Sequence, residues 1–318
     1  MIPESTSDSL PSTEFAATVA SSALGSPVVK VHRFTTGSSH FVFEVTCTSG
    51  QQAVVRATLE SNRAAMVGNA ALYHLLHPLG VPLPKILSEN LDHRFPYLVL
   101  ERLAGSDLAH VIHGLGDAAL KDIAGEVARA QAITATTPTN GRYGYAIEPH
   151  SAPFETWSLV LDANLARSRQ RFAATGLFEL DVVEQVAKLI SHAREELNTF
   201  AATPFLHDTT TKNVIVTSSG SFSGIVDIDD LCFGDPRYVV ALTEAALSAF
   251  GGSHHYTRHW LNLAQHKDDR IYHLYVSLFL VDFMSEYGQI FNGNQQALSP
   301  EMRQHLLDIF ATSLRKAS

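Results

Sequence analysis

Cysteine is nearly missing from this chain. Its 318 residues include two, Cys47 and Cys232. Two cysteines cannot build a disulfide framework, and these show no metal-ligand spacing, so the sequence points to a reducing, cytoplasmic compartment. Long apolar runs are missing as well. None approaches the roughly 18 residues needed to cross a bilayer, so no membrane role is expected. The start, Met-Ile-Pro-Glu-Ser-Thr-Ser-Asp-Ser, has neither the basic nor the apolar region of a secretory signal. Positive charge is in deficit, with 23 Lys and Arg against 32 Asp and Glu and a formal net charge of −9. That balance disfavours nucleic acid, whose phosphates call for basic patches, and it suits a cationic small molecule. Neither G-x-x-x-x-G-K-[ST] nor G-x-G-x-x-G occurs, which leaves P-loop and dinucleotide-binding readings without support. There is no internal repeat and no long low-complexity tract.

What is present suits a folded enzyme. Hydrophobic residues make up 45% and charged residues 17% of a chain long enough for one large domain or two lobes. Residues 1 to 11 read as a polar arm, and Thr13 to Leu24 as a short helix starting near Ser12. Strand patterns follow at Val28 to Val31, Phe41 to Val45 and Ala53 to Ala57. A helix over Arg63 to His77 and a buried strand over Pro96 to Leu100 complete the strand-rich part. Ser106 is the expected cap of the next helix. Beyond residue 103 helical periodicity dominates: Asp117 to Ile133, Asp181 to Phe200, Tyr238 to Phe250, Tyr256 to Ala264, Ile271 to Gln289 and Pro300 to Leu314.

The chemistry concentrates between Phe205 and Pro236. Asn213-Val214-Ile215-Val216 and Gly224-Ile225-Val226-Asp227 flank a Gly/Ser loop from Ser218 to Ser223, a hairpin signal. Pairing these strands gathers Asp208, Asn213 and Asp227 at one end of the hairpin. An amide and carboxylates converging in this way suit a hard divalent cation such as Mg²⁺, which takes oxygen ligands. The order of these residues is that of kinase catalytic and metal-binding loops. Lys212 reads as a solvated loop lysine. Asp229 and Asp230 divide evenly between loop bonding and a second-metal or substrate role. Asp235 before Pro236 reads as a helix cap. His255 and His259 stand four apart on a helix, a spacing that can bind zinc, but with 16 histidines in the chain coincidence explains them more readily.

Ile-Val-Asp-Ile-Asp-Asp-Leu-Cys-Phe-Gly-Asp-Pro resembles the I-D-W-E-D-x-x-x-G-D-P segment of the aminoglycoside and choline phosphotransferase family, small-molecule kinases with a protein-kinase-like fold. The likeness is strong over residues 205 to 240 and moderate over 33 to 105. It implies an α+β, two-lobe fold with a small N-terminal antiparallel sheet lobe, residues 1–102, binding the nucleotide. A larger, mostly helical lobe, residues 103–318, would carry the catalytic and metal-binding loops and the substrate pocket. It further implies transfer of the γ-phosphoryl group of ATP (or GTP) to a hydroxyl of a small molecule, with Mg²⁺. Asp208 is then the catalytic residue, and Asn213 and Asp227 are the metal ligands. Arg56, buried mid-strand, and the loop at Gly37, Ser38 and Ser39 grip the phosphates. Glu101 and Leu103 present backbone groups to the nucleobase. In the acceptor pocket, Asp282, Glu286, Tyr272, Tyr275, Phe279 and Trp260 could favour a cation, although amphipathic helices contain such residues by default.

Two departures from the family pattern stand out. Leu206 occupies the position of the family's His two residues before the catalytic Asp, and His207 replaces the Gly. Gly68 or Asn69 falls where the family's helix carries a Glu that pairs with the strand cation, with Glu60 nearby but out of register. These departures motivate an alternative, a non-catalytic nucleotide-binding pseudokinase. A weaker alternative is an HD-type metal phosphohydrolase, which would need His207-Asp208 on a helix; the following β-branched threonines argue against that.

Overall fold

The computed structural model describes residues 10–34, 40–291, 294–295 and 297–318. The chain divides into two compact units, Met1–Pro78 with Pro82–Ala104, and Leu79–Val81 with Gly105–Ser318.

In the first unit, α1 (Thr13–Leu24) begins where Ser12 Oγ accepts the Phe15 N–H at 3.2 Å, satisfying one of the donors that a helix start leaves unpaired. Strands β1 (Val28–Phe34), β2 (Phe41–Cys47) and β3 (Gln52–Ala57) are followed by a 3₁₀ turn over Glu60–Asn62 and by α2 (Arg63–Leu76). Then come β4 (Ile86–Asn90) and β5 (Tyr97–Glu101). The five strands form one antiparallel sheet in the order β1-β2-β3-β5-β4. Strand alternation decides the faces. Ala53 and Val55 join Phe43, Val45 and Val99 in a core against Ala16 and Ala20 of α1, whose small side chains suit close packing of helix on sheet. Arg56 takes the opposite parity from Val55.

The second unit opens with β6 (Ser106–Asp107) and α3 (Leu108–Val111). Ser106 does not cap this helix: it is in β6, paired with Val216, and Asp107 Oδ1 accepts the His110 N–H at 3.1 Å instead. A 3₁₀ turn over Ile112–Gly114 leads into α4 (Asp117–Thr134), β7 (Gly144–Ala146), a second 3₁₀ turn over Pro149–Ser151, α5 (Trp157–Thr175) and α6 (Leu180–Leu197). The site segment contributes β8 (Thr203–Leu206), β9 (Val214–Val216), β10 (Phe222–Ile225) and β11 (Leu231–Gly234). Helices α7 (Arg237–Phe250), α8 (His255–Leu263) and α9 (Arg270–Glu286), a short hairpin of β12 (Ile290–Phe291) and β13 (Asn294–Gln295), and α10 (Pro300–Ala317) finish the chain. Two three-stranded sheets, β10-β9-β6 and β7-β11-β8, lie among the helices. Among the described residues no helix is long and apolar enough to cross a membrane.

Helix α5 was not expected as a separate element. Its buried face includes Ser158, Asn164 and Ser168 beside Trp157, Val160, Leu161, Leu165 and Phe172, so polar residues interrupt the apolar period. Asn164 Nδ2 donates to Tyr145 Oη at 3.1 Å and to Tyr238 Oη at 2.6 Å, which explains how an amide is tolerated there. Asp235 is structural. It accepts the Arg237 N–H at 3.1 Å, the Arg237 guanidinium at 2.7 Å and Tyr275 Oη at 2.9 Å, while Asp269 takes the other end of Arg237 at 2.9 Å. This network ties the start of α7 to α9.

Gly234 ends β11 directly beneath Trp157, where an added Cβ would lie 2.1 Å from the indole ring. Gly234→Ala should therefore destabilise the protein by about 1–3 kcal/mol through overpacking. Chemical denaturation checks this, and an unchanged midpoint would contradict the packing described.

Candidate active site

The organising stretch builds its geometry from backbone pairing. Strand β9 pairs with β10 through Val216↔Phe222 and Val214↔Ile225. One further bond, from Val226 N–H to the Asn213 carbonyl at 2.9 Å, carries the ladder past the strand ends. Asp227 follows at once, so it leaves the hairpin beside Asn213. The Asn213 side chain reaches back across the preceding loop, donating from Nδ2 to the Asp208 carbonyl at 2.8 Å. With Nδ2 committed, Oδ1 is the acceptor end of that amide. Asp208, Asn213 and Asp227, all in the second unit, are thus brought together as the sequence implied.

Asp227 adopts a φ of 61°, one of two positive-φ non-glycine residues among those described. The left-handed conformation is unfavourable for a residue with a Cβ, with strain of order 1–3 kcal/mol where the surroundings impose it, and such positions concentrate at functional sites. The electrostatics agree. Asp208 keeps one side open to solvent while protein atoms crowd the other. That crowding, followed by the charge of Asp227, raises its carboxyl above the ordinary range, against hydrogen bonds from Thr210 and Asn213. Burial, then the charges of Asp229 and Asp208, push Asp230 up to about 7. Acidic groups that raise one another's affinity for protons make a site suited to a cation. The donor set is oxygen only, as hard Mg²⁺ requires.

The loop before Asp208 is braced from α4. Gln131, buried in the last turn of that helix, accepts the Leu206 N–H at 2.9 Å and donates to the Leu206 carbonyl at 2.9 Å and to Thr209 Oγ1 at 2.5 Å. Thr209 Oγ1 in turn donates to the Leu206 carbonyl at 2.9 Å. A leucine can stand where the family has His because the brace grips its backbone. Gln131 escaped the sequence reading. The signal was a polar residue on the stripe of Leu120, Ile123, Ala124 and Val127, all buried on α4. His207 turns into an aromatic nest, with ring centroids 4.7 Å from Tyr145, 5.9 Å from Tyr238 and 6.1 Å from Phe279. Burial, with the nearby Arg167 charge, lowers its pKa to about 3, so this imidazole stays neutral. Strand β8 ends at Leu206, so His207-Asp208 is not on a helix.

The remaining expected residues lie in the first unit or away from this cluster. Arg56 is 4% exposed, opposite Val42 and Leu98 in the sheet register. The Glu60 carboxylate is held by Arg63, with Arg63 Nε donating at 2.9 Å. Gly68 and Asn69 are buried in α2. Glu101 donates its N–H to the Lys85 carbonyl at 2.8 Å and accepts the Lys85 N–H on its carboxylate at 3.3 Å; Leu103 follows just beyond β5. Gly37, Ser38 and Ser39 lie outside the described residues. Lys212 is exposed, with Nζ 5.7 Å from the Phe250 ring centroid. Trp260, Tyr272, Tyr275 and Phe279 are core residues, not an open aromatic cage. Asp282 is engaged by Arg167 at 3.1 Å and Ser168 at 3.1 Å.

Comparison with known proteins places this geometry. Residues 30–247 match the model of the phosphotransferase enzyme family, APH. No curated protein sequence matches the chain. Among solved structures, the aminoglycoside phosphotransferase APH(4)-Ia superposes with a TM-score of 0.65 at 16% identity, covering 95% of this chain and 98% of that one. The streptomycin-ATP-APH(2")-IIa ternary complex gives 0.63 at 14% identity over 93% and 94% of the two chains. A candidate fructosamine-3-kinase from Haemophilus somnus 129PT gives 0.61 at 13% identity over 95% and 96%. At such identities the likeness shows the fold, which is protein-kinase-like, with a β-sheet N-terminal region and a helical C-terminal region. The family match spans more than half of the sequence, and on it the chain belongs to the phosphotransferase enzyme family.

Proposed function

We propose that this phosphotransferase moves the γ-phosphoryl group of ATP (or GTP) to a hydroxyl of a small molecule, with Mg²⁺ as cofactor. The observation that carries the reading is the meeting of Asp208, Asn213 and Asp227 through the hairpin and the bond from the Asn213 amide to the Asp208 carbonyl. Asn213 Oδ1 and the Asp227 carboxylate would hold the metal, which when bound neutralises phosphate charge. Asp208 orients the acceptor hydroxyl and accepts its proton as the oxygen attacks the γ-phosphorus, while the bond to the bridging oxygen breaks and the nucleoside diphosphate leaves. A carboxyl whose pKa is raised is a better base near neutral pH. Most of the acceleration in such transfers comes from positioning and electrostatics.

In the first unit, we assign the phosphate tail to Arg56 and the loop at Gly37, Ser38 and Ser39, and the nucleobase to backbone groups of Glu101 and Leu103. Residues 1–102 then serve nucleotide binding, and 103–318 catalysis, metal and acceptor. For the acceptor, the charge of Asp282 is already met by Arg167, and the aromatic candidates are core. The two buried free cysteines suit the cytoplasm. The intact triad, with the Gln131 brace at the departing position, favours an active enzyme over a pseudokinase.

Asp208→Ala should lower turnover by roughly 10²- to 10⁴-fold while nucleotide affinity stays near wild type. Wild-type turnover in a coupled ADP assay with an accepted substrate would remove Asp208 from its role. Asn213→Ala and Asp227→Ala should each weaken Mg²⁺-dependent nucleotide binding by calorimetry, and unchanged affinity in both contradicts their assignment as ligands. Asp230 supplies a pH test. Between its ordinary value of 3.8 and about 7 the folded protein holds a proton that the unfolded chain has released. Its contribution to stability is therefore complete below that window and lost as pH rises through it. In metal-free protein, Asp230→Asn should flatten the decline in stability from pH 4 to 7; a slope equal to wild type would contradict the carboxylate cluster.

A further inference from the structure

Outside the phosphotransfer site, a second group of metal-binding side chains converges on two helices. The sequence offered only His255 and His259, one turn apart. The fold adds Asp117, more than 130 positions away, from the first turn of α4. Its Oδ1 lies 2.7 Å from His255 Nδ1 and 2.9 Å from His259 Nε2. One ligand atom from each of the three lies within 4.8 Å of the others, and this is the one such group found among the described residues. We propose that Asp117, His255 and His259 form a binding site for a divalent transition-metal ion of the zinc class.

Donor chemistry supports this choice of ion. Two imidazoles and one carboxylate suit zinc and its first-row neighbours, whereas Mg²⁺ prefers oxygen alone. Tetrahedral zinc with bonds of about 2.0–2.1 Å separates adjacent ligand atoms by about 3.3 Å. The two separations from Asp117 Oδ1, 2.7 and 2.9 Å, are within an ångström of that value. His255 and Asp117 are exposed, so an ion can enter and a water can complete the coordination. The scaffold is already fixed. Thr257 donates to Glu244 on α7, and His254 pairs with the same carboxylate at 2.9 Å. Gly125 of α4 faces Leu263 of α8, so that an added Cβ would meet Leu263 Cδ1 at 3.6 Å. Binding costs little reorganisation because the two helices are held together without the ion. The site is independent of the phosphotransfer reading, since none of its residues belongs to that machinery.

The test is calorimetric titration of zinc chloride into full-length protein that lacks an affinity tag and has been stripped of metal with chelator. One saturable equivalent is expected, along with a zinc-dependent rise in melting temperature. His255→Ala and His259→Ala should each weaken binding at least roughly tenfold and abolish the rise. Far-ultraviolet circular dichroism confirms that the variants fold. Binding should weaken as pH falls, because protons compete for the imidazoles. Absence of a saturable equivalent in the wild-type protein overturns the proposal. So does binding that survives in the double variant, which would assign it to others among the 16 histidines.

Discussion

One hydrogen bond, 2.8 Å from Asn213 Nδ2 to the Asp208 carbonyl, fixes the geometry on which the functional reading rests. It closes the loop between Asp208 and Asn213, and it leaves Oδ1 as the acceptor end of the Asn213 amide. The hairpin does the rest. By pairing Val214 with Ile225 it converts a separation of nineteen positions between Asp208 and Asp227 into an electrostatic contact that adds to burial in raising the Asp208 carboxyl. Site and fold are not separable here, since the backbone ladder that stabilises the sheet also places the carboxylates.

The departures from the family pattern have different surroundings. At Leu206, Gln131 grips the backbone of the departing residue with both ends of its amide. A buried amide of this kind is stable only when fully bonded, and Gln131 is. At the start of α2, the Glu60 carboxylate is held by Arg63.

Much of this was legible in the sequence, because the decisive signals were local. Ser12 as a helix cap, the β-branched runs around the Gly/Ser loop and the Asp-Pro before α7 each act over a few residues. What escaped was non-local or polar. Helix α5 hid because its buried face uses Ser158, Asn164 and Ser168, whose partners come from other elements. Gln131 pairs with a strand 75 positions away. Asp117 cannot be linked to His255 and His259 until α4 and α8 are packed. The Ser106 cap failed by one residue, since Asp107 rather than that serine accepts the His110 N–H.

The central claim is that Asn213 and Asp227 hold the metal while Asp208 stays outside its coordination shell, facing the phosphoryl group. A crystal structure with Mg²⁺ and a non-hydrolysable ATP analogue tests this most directly. The account predicts a metal about 2.0–2.1 Å from Asn213 Oδ1 and from an Asp227 carboxylate oxygen, with Asp208 unliganded beside the γ-phosphate. A metal-nucleotide bound with Asn213 and Asp227 both outside its coordination shell would contradict it.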